Sequence, residues 1–250
     1  MDRTNSQKEF FDRQSAEYEM LYGDESELER EIVEKRRTLV KSSQPAGIVL
    51  DLGTGTGTHL GEISGKADAV IALDISPQMI ALASRRAENE KLRNVSLVIA
   101  DAQSLPFKEG AFDAVYCINA FYHVPDRGRA LSEMRRVMRR GAFAILEFYS
   151  ILNPMVFARV VVNYISAISS KRGFVYAEFP PAFRATLSRN GFTLEGGSFS
   201  ALSYVETSEA VRQWLPEFAF RILSAYRRIS ERHTFLRPPK MRCAAKISKR

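Results

Sequence analysis

The sequence is poor in thiols and imidazoles: two cysteines and three histidines in 250 residues. Cys117, in an apolar run, and Cys243, near the end, cannot form a disulfide framework, and both are expected to be reduced in a cytosolic compartment. Two thiols at such distant positions also argue against capture of a soft metalloid, and nothing in the sequence calls for a metal. Apolar runs of membrane-spanning length are missing as well. The longest, at 151–169, is interrupted by Pro154, Arg159 and two asparagines and falls short of the roughly 20 apolar residues a spanning helix needs. The first twenty residues are mixed in charge, without the basic-then-apolar layout of a secretory signal, so the protein is expected to stay in the cytoplasm.

Basic charge is present but confined. The net charge is +7, yet residues 207–250 alone carry +8, from 11 Lys/Arg against 3 Asp/Glu, and the other 206 residues carry −1. A nearly neutral main body argues against a protein-wide nucleic-acid surface. No Asn/Asp-Pro-Pro-Tyr stretch is present either, so no nucleic-acid partner is expected.

From Gly47 onward, short apolar segments rich in β-formers alternate with helical patterns: "GIVLDLG", "AVIALDI", "VSLVIAD", "FDAVYCIN" and "AFAILEFY" are separated by segments such as "PQMIALASRRAENE" and "RALSEMRRVMRR". Almost wholly apolar strands joined through helices indicate a parallel sheet covered on both faces, a doubly wound α/β fold. Ligands bind beyond the strand C-termini in such sheets. Asp51 to Gly57, Asp74, Asp101 and the stretch from Asn119 to Asp126 all fall there. The loop Gly53-x-Gly55-x-Gly57 lets a ligand approach bare main chain. Its third glycine comes one residue too early for the dinucleotide fingerprint Gly-x-Gly-x-x-Gly. Asp51, just ahead of it, would repel a pyrophosphate and attract a ligand bearing an ammonium and a sulfonium, as S-adenosylmethionine does. None of the nine tyrosines begins a Tyr-x-x-x-Lys pair, which further disfavours an NAD(P)-dependent oxidoreductase.

The motifs "LDLGTGTG", "ALDIS", "ADAQSLPF" and "FDAVYCINAFYHVPD", in this order and spacing, resemble the class I S-adenosylmethionine-dependent methyltransferases over roughly residues 8–150. The resemblance implies a Rossmann-like seven-stranded sheet, S-adenosylmethionine as cofactor and S-adenosylhomocysteine as product. It further implies that Gly53, Gly55 and Gly57 pass the methionine and ribose, that Asp51 helps hold the ammonium, and that Asp74 accepts both ribose hydroxyls. The last role also suits a carboxylate chemically, two acceptor oxygens facing two donors. Ile75 would lie on the adenine, Asp101 with Ala102 and Gln103 beside it would read the adenine amino group, and Asn119 would be nearest the reacting end. Ser76 and Pro77 suit an N-cap and first helical position, which would leave Asp74 for the ligand.

Residues 1–45 are expected to form cap helices, with Phe11, Ala16 and Tyr18 in an aromatic-small-aromatic pattern, followed by a charged helix that turns Leu28, Ile32 and Leu39 inward. The methyltransferase domain is expected over 46–206, with 151–180 as a helical lid or substrate insertion after strand five. A helix, a turn at Gly191 and an antiparallel pair of strands would then complete the sheet. Residues 207–250 read as a basic amphipathic helical segment that either packs on the domain or meets a membrane peripherally. "ILEFYSILNP" resembles the ubiquinone and menaquinone C-methyltransferases, which implies a lipophilic or aromatic small-molecule acceptor. If that acceptor must lose a proton, His123 is the candidate base. His59 either touches the methionine carboxylate or only starts a helix. A non-catalytic S-adenosylmethionine-binding scaffold is the alternative.

Overall fold

The computed structural model describes residues 3–21, 27–150, 177–178, 180–200 and 242–249. A mixed sheet organises them. Its strands are β1 (Ile48–Leu52), β2 (Ala69–Asp74), β3 (Val95–Ile99), β4 (Phe112–Cys117), β5 (Met138–Ser150), β6 (Ala177–Glu178), β7 (Phe192–Ser200) and β8 (Arg242–Lys249). They lie in the order β3-β2-β1-β4-β5-β8-β7, with the two-residue β6 beside the end of β5. The first five strands are parallel, whereas β8 is antiparallel to both β5 and β7.

Side chains alternate across each strand, and here both sets are apolar. Leu50, Leu52, Val115, Cys117, Ala144 and Leu146 face one core with Leu131 and Met134 of α5 (Arg127–Val137) and Phe183 and Leu187 of α6 (Pro180–Arg189). Val49, Val70, Ala114, Tyr116 and Ile145 face another, with Val40 of α2 (Glu27–Ser43), Ile63 of α3 (Leu60–Ser64) and Ala83 of α4 (Pro77–Asn89). Double coverage is why the strands read as continuous apolar runs. At the start of β5 the register slips, Phe112 pairing with Met138 and Ala114 with Phe143. Gly141, at φ 79°, lies in this irregularity.

The end of the chain departs from expectation. The helix and the Gly191 turn are where the sequence puts them, and among the described residues the antiparallel partner of β7 is β8, at 242–249. The expected helical character of the basic segment therefore does not extend to 242–249. The physical reason is Ile247, which is fully buried and joins the core against α5 and α6. Burial of that strand between β5 and β7 outweighs the positive charge around it. Residues 151–176 and 201–241, which include the expected lid and the amphipathic part of the tail, lie outside the described residues. Among the described residues, no helix is long and apolar enough to cross a membrane.

The long N-terminal helix α1 (Arg3–Leu21) crosses the C-terminal edge of the sheet. Three hydrogen bonds tie it to three successive loops. Gln7 Nε2 donates to the His123 carbonyl at 2.8 Å, Ser76 Oγ donates to Asp12 Oδ1 at 2.6 Å, and Gln103 Nε2 donates to Thr4 Oγ1 at 3.2 Å. The side chains of Ala16, Tyr18, Leu28 and Ile32 lie outside the described residues; Leu39 packs, half-buried, against the second core.

Candidate functional site

Beneath α1, a cleft of about 950 Å³, open solvent at its mouth included, runs across the strand ends. Every candidate residue lines it except Asp51 and Gly57. Both lie in the chain that forms its floor.

The glycine loop folds back over β2. Gly53 and Thr54 donate their N–H groups to the Leu73 carbonyl at 2.7 and 2.9 Å. Gly53 sits at φ 75°, and a Cβ there would clash with the Ala120 Cβ. The position therefore demands glycine on two counts, left-handed backbone and contact with the loop after β4. The Gly55 N–H points at the end of β2 and donates to Asp74 Oδ2 at 2.9 Å.

Asp74 is the last residue of β2 and is nearly buried. Its other oxygen accepts the Ser76 N–H at 3.0 Å, while Ser76 Oγ caps α4 by accepting the Met79 N–H at 3.1 Å. Ser76 is thus the cap, as expected, but Asp74 is not idle. Its oxygens accept the Gly55 and Ser76 N–H groups, with the Ile75 N–H also directed at the carboxylate, which leaves lone-pair capacity for a ligand hydroxyl. Burial pushes its carboxyl pKa up, against the pull of these hydrogen bonds. Burial also raises Asp51, to about 6, with the Thr54 hydroxyl opposing and the negative charge of Asp74 adding to the rise. Two desolvated carboxylates so close are costly unless a cation joins them.

Asp101, two residues beyond β3, shapes its own turn. Its Oδ1 accepts the Gln103 N–H at 2.9 Å, and Gln103 Nε2 reaches both carboxylate oxygens at 3.0 Å. Gln103 Oε1 in turn accepts the Asp126 N–H at 2.9 Å, joining the loops after β3 and β4. Ile75 and Ala102 lie on the cleft wall between these acids.

Past β4, Asn119 takes the left-handed conformation at φ 61°. Three partners hold it. Its N–H donates to Glu147 Oε2 at 2.8 Å, and its Oδ1 accepts Arg36 Nη2 at 2.7 Å and the Tyr122 hydroxyl. Both lone pairs of Oδ1 are occupied, so only its Nδ2 can address a ligand. His123 closes the single 3-10 turn Phe121–His123. Its ring meets Phe11 edge-on at 4.9 Å and Tyr122 at 4.6 Å. His59 precedes α3 without capping it through its side chain. Burial and nearby arginines, Arg36 first, push its pKa down to about 3, so it is neutral.

Sequence reasoning missed Arg36 and Glu147. Arg36 Nε and Nη2 each lie 3.1 Å from a Glu147 oxygen, a two-pronged pair whose side chains are only 10% and 8% exposed. A signal existed: Arg36 falls on the same stripe of α2 as Val33 and Val40, both buried, and Glu147 interrupts an apolar strand. Charge on an apolar stripe calls for a buried partner.

Residues 50–146 match the methyltransferase domain family Methyltransf_11. The ubiquinone/menaquinone biosynthesis C-methyltransferase UbiE of Rhizobium johnstonii is 37% identical over 118 residues, 45% of this chain and 46% of that protein. The demethylmenaquinone methyltransferase of Thermus thermophilus is 35% identical over 147 residues, 55% of this chain and 66% of that protein. The chain thus matches about half the length of the first of these relatives. Among solved structures, an S-adenosylmethionine-dependent methyltransferase from Thermotoga maritima superposes with a TM-score of 0.67 at 17% identity, covering 98% of this chain and 100% of that one; at that identity the likeness concerns the fold. With the glycine loop, the acids at the ends of β1 and β2 and the strand order, these matches identify the chain as belonging to the class I S-adenosylmethionine-dependent methyltransferases.

Proposed function

We propose that the protein transfers the methyl group of S-adenosylmethionine to a small lipophilic or aromatic acceptor, a hydroquinone ring being the leading class. The observation that carries the reading is the pair of buried carboxylates, Asp51 and Asp74, on either side of a glycine loop whose Gly53, Thr54 and Gly55 line the cleft. Bound there, S-adenosylmethionine supplies an activated methyl group and a sulfur that leaves with its electron pair. Asp51 would face the ammonium, Asp74 the two ribose hydroxyls, Ile75 the adenine face and Asp101 with Ala102 the adenine edge. Gly53 and Gly57 would give the methionine and ribose their path, with Asn119 nearest the transferred methyl.

The protein's own contribution is chiefly alignment and exclusion of water, and orientation alone can supply roughly 7–11 kcal/mol of a barrier. α1, bonded to the loops after β2, β3 and β4, would hold the site dry. His123 would take the proton that a phenol or hydroquinone loses as its ring attacks. The quinone class rests on the names of the two relatives and on the "LEFYS" segment of β5. Peripheral contact with an anionic membrane, through the basic run at 207–241, would bring the enzyme to such an acceptor.

The test is calorimetric titration with S-adenosylmethionine and S-adenosylhomocysteine, followed by turnover on demethylmenaquinol. Binding of both ligands and methylated product are expected, with turnover falling by roughly 10²–10⁴ in His123→Ala while cofactor affinity holds. Preference for NAD over either ligand would overturn the reading; full turnover in His123→Ala would remove the base from it.

A further inference from the structure

We propose that Gln7 is a positioning residue for His123, holding the backbone that carries the imidazole from the helix above it. The inference rests on the methyltransferase reading with His123 as base, and deepens it by naming what keeps that base in place.

The 3-10 turn Phe121–His123 is three residues long, and so short a turn leaves its last carbonyls without helical donors. Core packing fixes its start: Phe121 is fully buried, its ring centroid 5.9 Å from that of Phe183, and Tyr122 is buried beside it. Beyond the turn, Pro125 has no N–H to give, and the Asp126 N–H is taken by Gln103 Oε1. The His123 carbonyl draws its donor from α1 instead. Gln7 Nε2 supplies it at 2.8 Å, from 116 residues earlier in the chain.

Gln7 is a polar side chain only 3% exposed, and its burial is tolerated because its amide is bonded. Phe11, four residues on and so on the same stripe of α1, meets the imidazole edge-on with centroids 4.9 Å apart. Gln7 thus fixes the backbone of His123, while Phe11 and Tyr122, the latter at 4.6 Å, fix its ring. Gln7, Phe11 and His123 all line the cleft. Placement matters because His123 would take the phenolic proton on a ring nitrogen. The electron pair so freed passes through the acceptor ring into the new bond to the methyl carbon, and the C–S pair leaves with the sulfur. The proton on the methylated ring carbon then moves to the phenolic oxygen, which restores aromaticity. A misplacement of about 1 Å at such a step can cost roughly 10²-fold in rate.

The experiment measures turnover of demethylmenaquinol by the full chain in the wild type, Gln7→Met, His123→Ala and the double variant. Gln7→Met keeps the side-chain length and removes the donor. It is expected to lower kcat by roughly 10- to 100-fold, with KM and S-adenosylhomocysteine affinity unchanged. In the His123→Ala background it should change nothing further, because Gln7 acts only through the base. The imidazole proton resonances of His123, identified by their absence in His123→Ala, sit beside the rings of Phe11 and Tyr122 and should shift in Gln7→Met. If Gln7→Met does not fold, Gln7→Asn, whose amide stops one methylene short of the carbonyl, carries the same measurements. Losses that multiply in the double variant, unmoved His123 resonances, or a fall in cofactor affinity that matches the fall in kcat would overturn the role of Gln7 and leave His123 as the base. Full turnover in His123→Ala would overturn the base itself, and this inference with it. Should the wild type leave demethylmenaquinol unchanged, the acceptor reading falls, and the resonances still decide whether Gln7 holds the imidazole.

Discussion

The Gly55 N–H donates to Asp74 Oδ2 at 2.9 Å, so the acid at the end of β2 fixes the glycine loop that follows β1. Asp74 is therefore a structural acceptor as well as the candidate ribose ligand, and the two roles can be separated. Asp74→Ala leaves the N–H groups of Gly55 and Ser76 without their acceptor and should destabilise the fold by about 1–3 kcal/mol. Asp74→Asn keeps one acceptor oxygen and should cost less. Both should lose most of the affinity for S-adenosylhomocysteine, which calorimetry reads alongside urea denaturation. Asparagine with wild-type affinity would mean that the carboxylate does not hold the ribose.

The second expectation concerns pH. Burial raises Asp51 to about 6, well above its ordinary value of 3.8. The folded state holds this proton more tightly than the unfolded state does. Its contribution to stability is therefore unfavourable at neutral pH, and stability gains from it as pH falls through about 6 toward 3.8. Cofactor affinity should move the opposite way, rising with pH through about 6 as the carboxylate that faces the ammonium loses its proton. Titrations at pH 5.5 and 7.5 in buffers of different ionisation enthalpy would show a proton released on binding at the lower pH, and Asp51→Asn should abolish both the release and the pH dependence. An affinity flat across this range in the wild type would place the ammonium elsewhere.

The glycine loop, Asp74 and Asp101 were legible in the sequence because each is a local signal: a spacing, a strand end, a turn. The same holds for the strands up to β5, whose two apolar faces leave an unmistakable pattern. Arg36 and Glu147 were not legible as a pair, because 111 residues separate them and each reads singly as a misplaced charge. The bonds from Gln7 and Asp12 of α1 to the loops below were hidden for the same reason: polar side chains on a mixed helix carry no mark of what they meet. The last strand was misread because positive charge and helical periodicity dominated the tail, while the burial of one residue, Ile247, decides the placement of 242–249.

That placement yields the third expectation. β8 pairs with β5 from Phe143 to Tyr149 on one side and with β7 from Phe192 to Ser200 on the other, and Lys249 Nζ donates to the Met138 carbonyl at 2.9 Å. Removing residues 242–250 would leave β5 and β7 with unpaired edges and strip Ile247 from the core it shares with Ala144, Leu146 and Phe192. A truncated chain should therefore fail to melt cooperatively, and Ile247→Ala in the full chain should cost about 2–5 kcal/mol by urea denaturation. Truncation is accordingly unsuited to testing membrane contact, since loss of vesicle binding would follow from unfolding alone. Neutralising Arg227, Arg228 and Arg232 to Gln in the full chain isolates charge from fold. With the fold retained, co-sedimentation with anionic vesicles at low salt should weaken in that variant if the basic run meets the membrane. A chain ending at residue 241 that melts with the wild-type transition would refute the central position of β8, and would return the whole tail to the surface.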